Sequence, residues 1–180
     1  GNPPQVVVVV GGTDPRGYLE PLVTASLDAH PTARVTAVCT NATQATSLRD
    51  RGGAPHRLLV EPPIRDLPIR FISADLVVTA AGTTATEAVI VGAPSALIRA
   101  VGNQGPVYDA LVGSGSAYGL SRDGEATSVR DHIETVLGDA QLRLRMTHNA
   151  HWLLDGSGAL RIITAMEAIV GDRNNASDFV

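Results

Sequence analysis

The stretch Ala74 to Gly92, ADLVVTAAGTTATEAVIVG, constrains the fold more than any other part of the chain. It opens on Leu76-Val77-Val78, a short apolar run of the kind that fills a buried strand. Ala80, Ala81 and Gly82 follow, all too small to obstruct a ligand or a second backbone. Thr83 and Thr84 are each able to cap a helix, and Glu87, three residues after Thr84, completes a capping-box spacing. Ala88 to Val91 continue that helix, and Gly92 with Pro94 ends it. Strand, small-residue turn and hydroxyl-rich helix start together offer backbone N–H groups and a positive helix end to an anion.

The rest of the chain repeats the same alternation. Val6 to Val10 reads as a central strand, followed by Gly11-Gly12-Thr13-Asp14-Pro15, with Asp14 as a helix cap and Pro15 at the first helical position. That helix is expected to end near Ala29. Strands are predicted at Arg34 to Thr40, His56 to Val60, Ser95 to Arg99 and Ala117 to Leu120, with helices at Ala42 to Asp50 and Val107 to Val112. A helical turn is expected near Pro68 to Ser73, and Asn103-Gln104-Gly105-Pro106 opens the Val107 helix. The pattern predicts an α/β fold, a doubly wound parallel sheet with right-handed crossovers. In the common strand order 3-2-1-4-5-6, the first and fourth strands are neighbours, which sets Gly11-Gly12 beside Gly82-Thr83 at the carboxyl edge.

After Leu120 the strands stop and three helices are expected, Glu125 to Leu137, Asp139 to Leu154 and Ala159 to Val170, then a frayed polar tail from Gly171. The reading divides the chain into a Rossmann-like ligand-binding domain, 1–122, C-terminal helices packed on it, 123–172, and a disordered end, 173–180. Leu142, Met146, Trp152 and Leu153 form one apolar stripe, and Ile162, Ile163, Met166 and Ile169 another. Both are expected to pack as core, with exposure of one stripe as the alternative.

Composition excludes several functions. The net charge of −4 leaves no basic block for a nucleic-acid backbone. All 14 basic residues are arginine, so a Schiff-base lysine and a P-loop lysine are both out. A single cysteine, Cys39, provides neither a disulfide framework nor a thiolate cluster, and its place in a strand suggests burial. The five histidines show no metal-ligand spacing and read as surface or helix-end residues. No cofactor or metal is expected. There is no apolar run of about 18 residues and no charged-then-apolar leader, which suggests a cytoplasmic protein. The start at Gly1 suggests a fragment with a partner domain upstream.

Each candidate residue has a plain reading beside its functional one. Gly11-Gly12 is a tight turn or a ligand contact; the six-residue dinucleotide fingerprint is absent, which argues against an NAD enzyme. Glu87 is a capping-box partner, or a carboxylate one turn into a helix and placed to take two ribose hydroxyls. Thr83 and Thr84 are caps or phosphate donors. Asn103 is a helix cap, or one of two amides with Gln104 that donate to phosphate or sugar oxygens. No Ser-His-Asp or Cys-His set is assignable.

Taken together, GGTDP, ADLVVTAAGTTATEA and VGNQGPVYDAL resemble the C-terminal Rossmann half of the two-domain GT-B glycosyltransferase superfamily. Within it, the nearest likeness in motif is to the sugar-nucleotide hydrolases of pseudaminic acid synthesis and related spore-coat polysaccharide proteins. The likeness spans roughly residues 6 to 120. Thr86 stands where those proteins carry an aromatic residue, and Gly102 where an aspartate often precedes NQ. The resemblance implies that Gly11, Gly12, Gly82, Thr83 and Thr84 surround a diphosphate, with Thr13 and Asp14 in the same substrate-binding turn. It implies Glu87 on the ribose, Asn103 and Gln104 near phosphate or sugar, and the base against Val60 and Glu61.

The expected partners are a nucleotide-diphosphate sugar and an N-terminal acceptor domain, in cis or as a separate chain. No nucleic acid and no transmembrane segment is expected. The implied function is the donor-binding half of a glycosyltransferase or related sugar-nucleotide enzyme, with acceptor site and catalytic base supplied elsewhere. The alternatives are a hydrolase of the pseudaminic acid type and a non-catalytic nucleotide-sugar-binding module.

Overall fold

The computed structural model describes residues 2–12, 14, 16–50, 56–120 and 126–176, with side chains of 126–128 and 171–176 left aside. Six parallel strands form one sheet in the order β3-β2-β1-β4-β5-β6. They are β1 (Gln5–Val9), β2 (Arg34–Val38), β3 (Leu58–Glu61), β4 (Leu76–Ala80), β5 (Ser95–Ile98) and β6 (Tyr118–Gly119). The helices are α1 (Leu19–Ala29), α2 (Ala42–Asp50), α3 (Leu67–Ile72), α4 (Thr83–Ile90), α5 (Gly105–Gly113), α6 (Ala126–Gly138), α7 (Ala140–Leu153) and α8 (Gly158–Ala176).

The valine run of β1 makes it central. Val6 and Val8 pack among residues of α1 and α6, whereas Val7 and Val9 pack with Phe71 of α3 and Ala88 of α4. A strand covered on both faces reads as continuous rather than alternating apolar sequence, as here. β4 repeats the division, with Leu76 and Val78 on one side and Val77 on the other. Each fully buried Val, Leu or Phe contributes roughly 1.5–3 kcal/mol through apolar area removed from water. These two strands are therefore the rigid floor of the molecule.

Register then aligns the loops. Val6 to Val9 of β1 lie opposite Leu76 to Thr79 of β4, so continuing the ladder brings Gly11-Gly12 level with Ala81-Gly82. Gly92 ends α4 with φ of 76°, a left-handed turn in which Ala93 N–H reaches Ala88 C=O.

Several expectations change. α1 begins at Leu19, not at Pro15, because Asp14 itself adopts a left-handed backbone, φ 38°, and delays the helix. The Thr84–Glu87 capping box does not form: Gly82 holds the N-cap of α4 without a side-chain cap bond, and both threonines lie inside the helix. Asn103 does not cap α5, since Gly102–Gln104 is a 3-10 turn running straight into it. His132 is partly buried, ring-edge against Tyr118, rather than on the surface. The predicted glycine stop at Gly52-Gly53 lies outside the described residues.

The tail also differs. Residues 171–176 continue α8 instead of fraying. Met146 of the first stripe is buried and Leu142 partly so, but Trp152 is 82 % exposed. Ile162, Ile163, Met166 and Ile169 are all more than half exposed, so the second stripe is not core. The reason is geometric: α6 packs on α1, and α7 on α4 and α6, while the described side chains of α8 are all exposed. Its start is held locally, where Asp155 accepts from Ser157 N–H and from Arg161 Nη1 at 2.7 Å. The hydrogen bond from Arg161, then that of the Ser157 N–H, holds the Asp155 carboxyl below its ordinary pKa. No helix among the described residues is long and apolar enough to cross a membrane.

Candidate functional site

Three loops converge at the carboxyl edge of β1, β4 and β5. The centre is the start of α4. Thr83 and Thr84 occupy its first two positions, whose N–H groups have no intrahelical acceptor. No side chain caps them, and no acidic residue lies in the first turn. Among the described residues neither threonine hydroxyl has a hydrogen-bond partner. The helix thus keeps donors and dipole free for an anion.

Glu87 lies four residues beyond Thr83 and three beyond Thr84, hence on the same face. It is partly buried, and among the described residues its carboxylate takes no hydrogen bond or ion pair. With the capping box absent, Glu87 has no structural partner among the described residues.

Gln104 joins the third loop to this helix. Its Oε1 accepts from Ala100 N–H at 2.8 Å, which commits the oxygen inward. Its Nε2 sits against Gly82, where an added Cβ would lie 3.6 Å away. Asn103 beside it is exposed, with no partner among the described residues. Arg99, at the end of β5, extends over Gly105 with Nη1 3.6 Å from an ideal Cβ there. This cation was not anticipated, and only the end of a strand marked it.

The turn after β1 is different in kind. Gly11, with φ of 96°, and Gly12 are exposed at the edge. Asp14 is committed to the protein: Oδ1 accepts from Tyr18 N–H at 2.8 Å and Oδ2 from Leu19 N–H at 3.0 Å. The start of α1 is thereby neutralised, whereas that of α4 is open. Thr13 lies outside the described residues. Val60 and Glu61 hold the far side of the edge, but their carbonyls already accept from Arg49 and from Cys39 N–H. The Glu61 carboxylate turns under α3 to Arg70, 2.7 Å away. Among the described residues its second oxygen is enclosed without a hydrogen-bond partner.

No protein-family profile matches the chain. It is 32 % identical over 180 residues to a UDP-N-acetylglucosamine–N-acetylmuramyl-(pentapeptide) pyrophosphoryl-undecaprenol N-acetylglucosamine transferase of Xanthomonas oryzae pv. oryzae. The match takes in 94 % of this chain and 41 % of that enzyme. In structure it superposes on MurG of Acinetobacter baumannii with a TM-score of 0.73 at 19 % identity, over 93 % of this chain and 50 % of that one. The chain carries the GT-B C-terminal fold. The spinosyn rhamnosyltransferase SpnG complexed with thymidine diphosphate matches this GT-B half with a TM-score of 0.67 at 18 % identity, over 84 % of this chain and 42 % of SpnG. The chain thus spans less than half the length of the curated transferase and about half that of these structures. A special closeness to pseudaminic-acid hydrolases, expected from the motifs, is not shown by these relatives, which are transferases.

Proposed function

We propose that this GT-B half binds the nucleotide-diphosphate sugar donor of a glycosyltransferase, through residues 1–122. The observation that carries the reading is the uncapped, acid-free start of α4, with Glu87 on the same face and unpaired among the described residues. In this reading the diphosphate lies at Gly82, Thr83 and Thr84, against the Gly11-Gly12 turn. Glu87 accepts from the two ribose hydroxyls, and the Gln104 and Asn103 amides donate to phosphate or sugar oxygens. The base lies toward Val60 and Glu61. The MurG-like relative and the diphosphate complex of SpnG support this assignment.

The chemistry follows from charge. As the bond between the sugar carbon and the diphosphate oxygen breaks, negative charge grows on the departing diphosphate. Donors fixed at a helix start stabilise that charge without reorganising, a contribution that is often the largest single one in a transfer reaction. The base that activates an acceptor, and the acceptor site itself, belong to the second domain, which covers the exposed face of α8. Calorimetric titration with UDP, GDP, CMP and dTDP tests the reading. Saturable binding of one of them is expected, and no binding by any would sink it.

A further inference from the structure

We propose that Gln44 is a positioning residue, which holds the turn after β1 in its ligand-ready shape by bracing Asp14 without touching ligand. The inference rests on the donor-binding reading above for the ligand, but on hydrogen bonds alone for the brace.

The turn between β1 and α1 has little shape of its own. Gly11 and Gly17 both have positive φ, and so does Asp14 between them. A segment of this kind gains conformational entropy on loosening unless other groups hold it. The holding groups come from the loop after β2. Gln44 Nε2 donates to Asp14 Oδ2 at 2.8 Å, a third donor on a carboxylate that already caps α1. Thr40 Oγ1 donates to the carbonyl of Gly12. That second tether occupies an acceptor which, left free, would repel a phosphate.

Gln44 is itself held in the required orientation. The Cys39 thiol, whose one proton is shared between the Asn41 carbonyl at 3.1 Å and the Gln44 Oε1 at 3.3 Å, lies on the oxygen side of the amide, with the nitrogen toward Asp14. Asn41 Oδ1 accepts from Thr43 N–H at 2.9 Å and Gln44 N–H at 3.3 Å, fixing the first turn of α2. The order of support therefore runs from Asn41 through Gln44 to Asp14, and from Asp14 to the start of α1. Asp14 and Gln44 are 30 residues apart, so only the pairing of β1 with β2 brings them together.

The test uses the full chain with Gln44→Met, which keeps bulk and removes the donor, and Gln44→Glu, which sets two carboxylates against each other. Hydrogen exchange of the free protein should quicken by about tenfold at the Tyr18 and Leu19 amides in Gln44→Met, as loss of a charge-assisted bond implies. Affinity for whichever nucleoside diphosphate the wild type binds should drop by about tenfold, with the melting temperature lowered by no more than the loss of that one bond implies. Gln44→Glu should be worse, and adding Asp14→Asn should recover part of the loss by reversing donor and acceptor. Unchanged exchange with unchanged affinity overturns the proposal. So does a lowered melting temperature with affinity intact, which marks Gln44 as merely structural. If the wild type binds no nucleoside diphosphate, the donor-binding reading fails, and the exchange rates alone decide the brace.

Discussion

Glu87 within α4 and Gly92 just past its end lie five residues apart and separate function from stability. Glu87 is not a capping residue here, so Glu87→Gln should leave the melting temperature within error. As a ribose ligand, the carboxylate accepts from two hydroxyls, whereas an amide offers one uncharged oxygen. Hydrogen bonds to a charged acceptor are worth roughly 1.5–3 kcal/mol against about 1 for neutral pairs. Titration should therefore show nucleotide affinity falling by about tenfold or more. Equal affinity of the wild type for ribo- and 2′,3′-dideoxynucleotides would remove Glu87 from the ribose. Gly92 behaves oppositely. Its φ of 76° is costly for any residue with a Cβ, and that Cβ would lie 3.1 Å from His151 Nε2 and 3.2 Å from Thr147 Cγ2. Gly92→Ala should cost about 1–2 kcal/mol in urea unfolding, with nucleotide affinity of the folded protein unchanged.

At the scale of the element, α1 and α4 are contrasted helix starts on neighbouring loops. Asp14 satisfies the first, and nothing caps the second. A carboxylate placed in the first turn of α4 should thus do two opposite things. Thr83→Asp should raise stability by about 0.3–1 kcal/mol through the helix dipole. It should also repel a bound diphosphate, since like charges about 4 Å apart near a protein surface cost about 4 kcal/mol. Affinity should then fall by at least about tenfold. Denaturant unfolding and calorimetry on one preparation give both signs; a stabilised protein with full affinity would place the anion elsewhere.

At the scale of the molecule, α8 stands apart from the sheet. Leu160, Ile162, Ile163, Met166, Ile169 and Val170 are all exposed, as is Trp152 on α7. An apolar face of this extent on an isolated chain favours association. Light scattering should show concentration-dependent self-association, abolished by deleting residues 158–180. The deletion should leave the melting temperature of the sheet unchanged, because the side chains of 158–170 are all exposed and remove no core when lost. A clean monomer at high concentration would mean that α8 folds back and buries its stripe.

The sequence by itself determined the layers and much of the site. Valine runs, glycine stops and the strand–helix alternation pointed to a parallel sheet; the common order was taken on the analogy of such sheets, and the structure has it, β3-β2-β1-β4-β5-β6. The Gly82-Thr83-Thr84 turn was legible because strand period, small residues and helix signals are all local. What only the tertiary structure decided is how polar groups are shared among loops distant in sequence. Asp14 looked like a cap at Pro15, yet its left-handed backbone and the Gln44 amide fix it five residues ahead of the first residue of α1. Thr84 and Glu87 had the spacing of a box, yet Gly82 took the N-cap and the carboxylate has no partner among the described residues. The apolar stripe of α8 carried a core-like pattern, yet periodicity records which face is apolar and not whether a surface remains to cover it. Hydrogen-bond partners and free surfaces depend on which elements the sheet brings side by side, and that is a property of three dimensions.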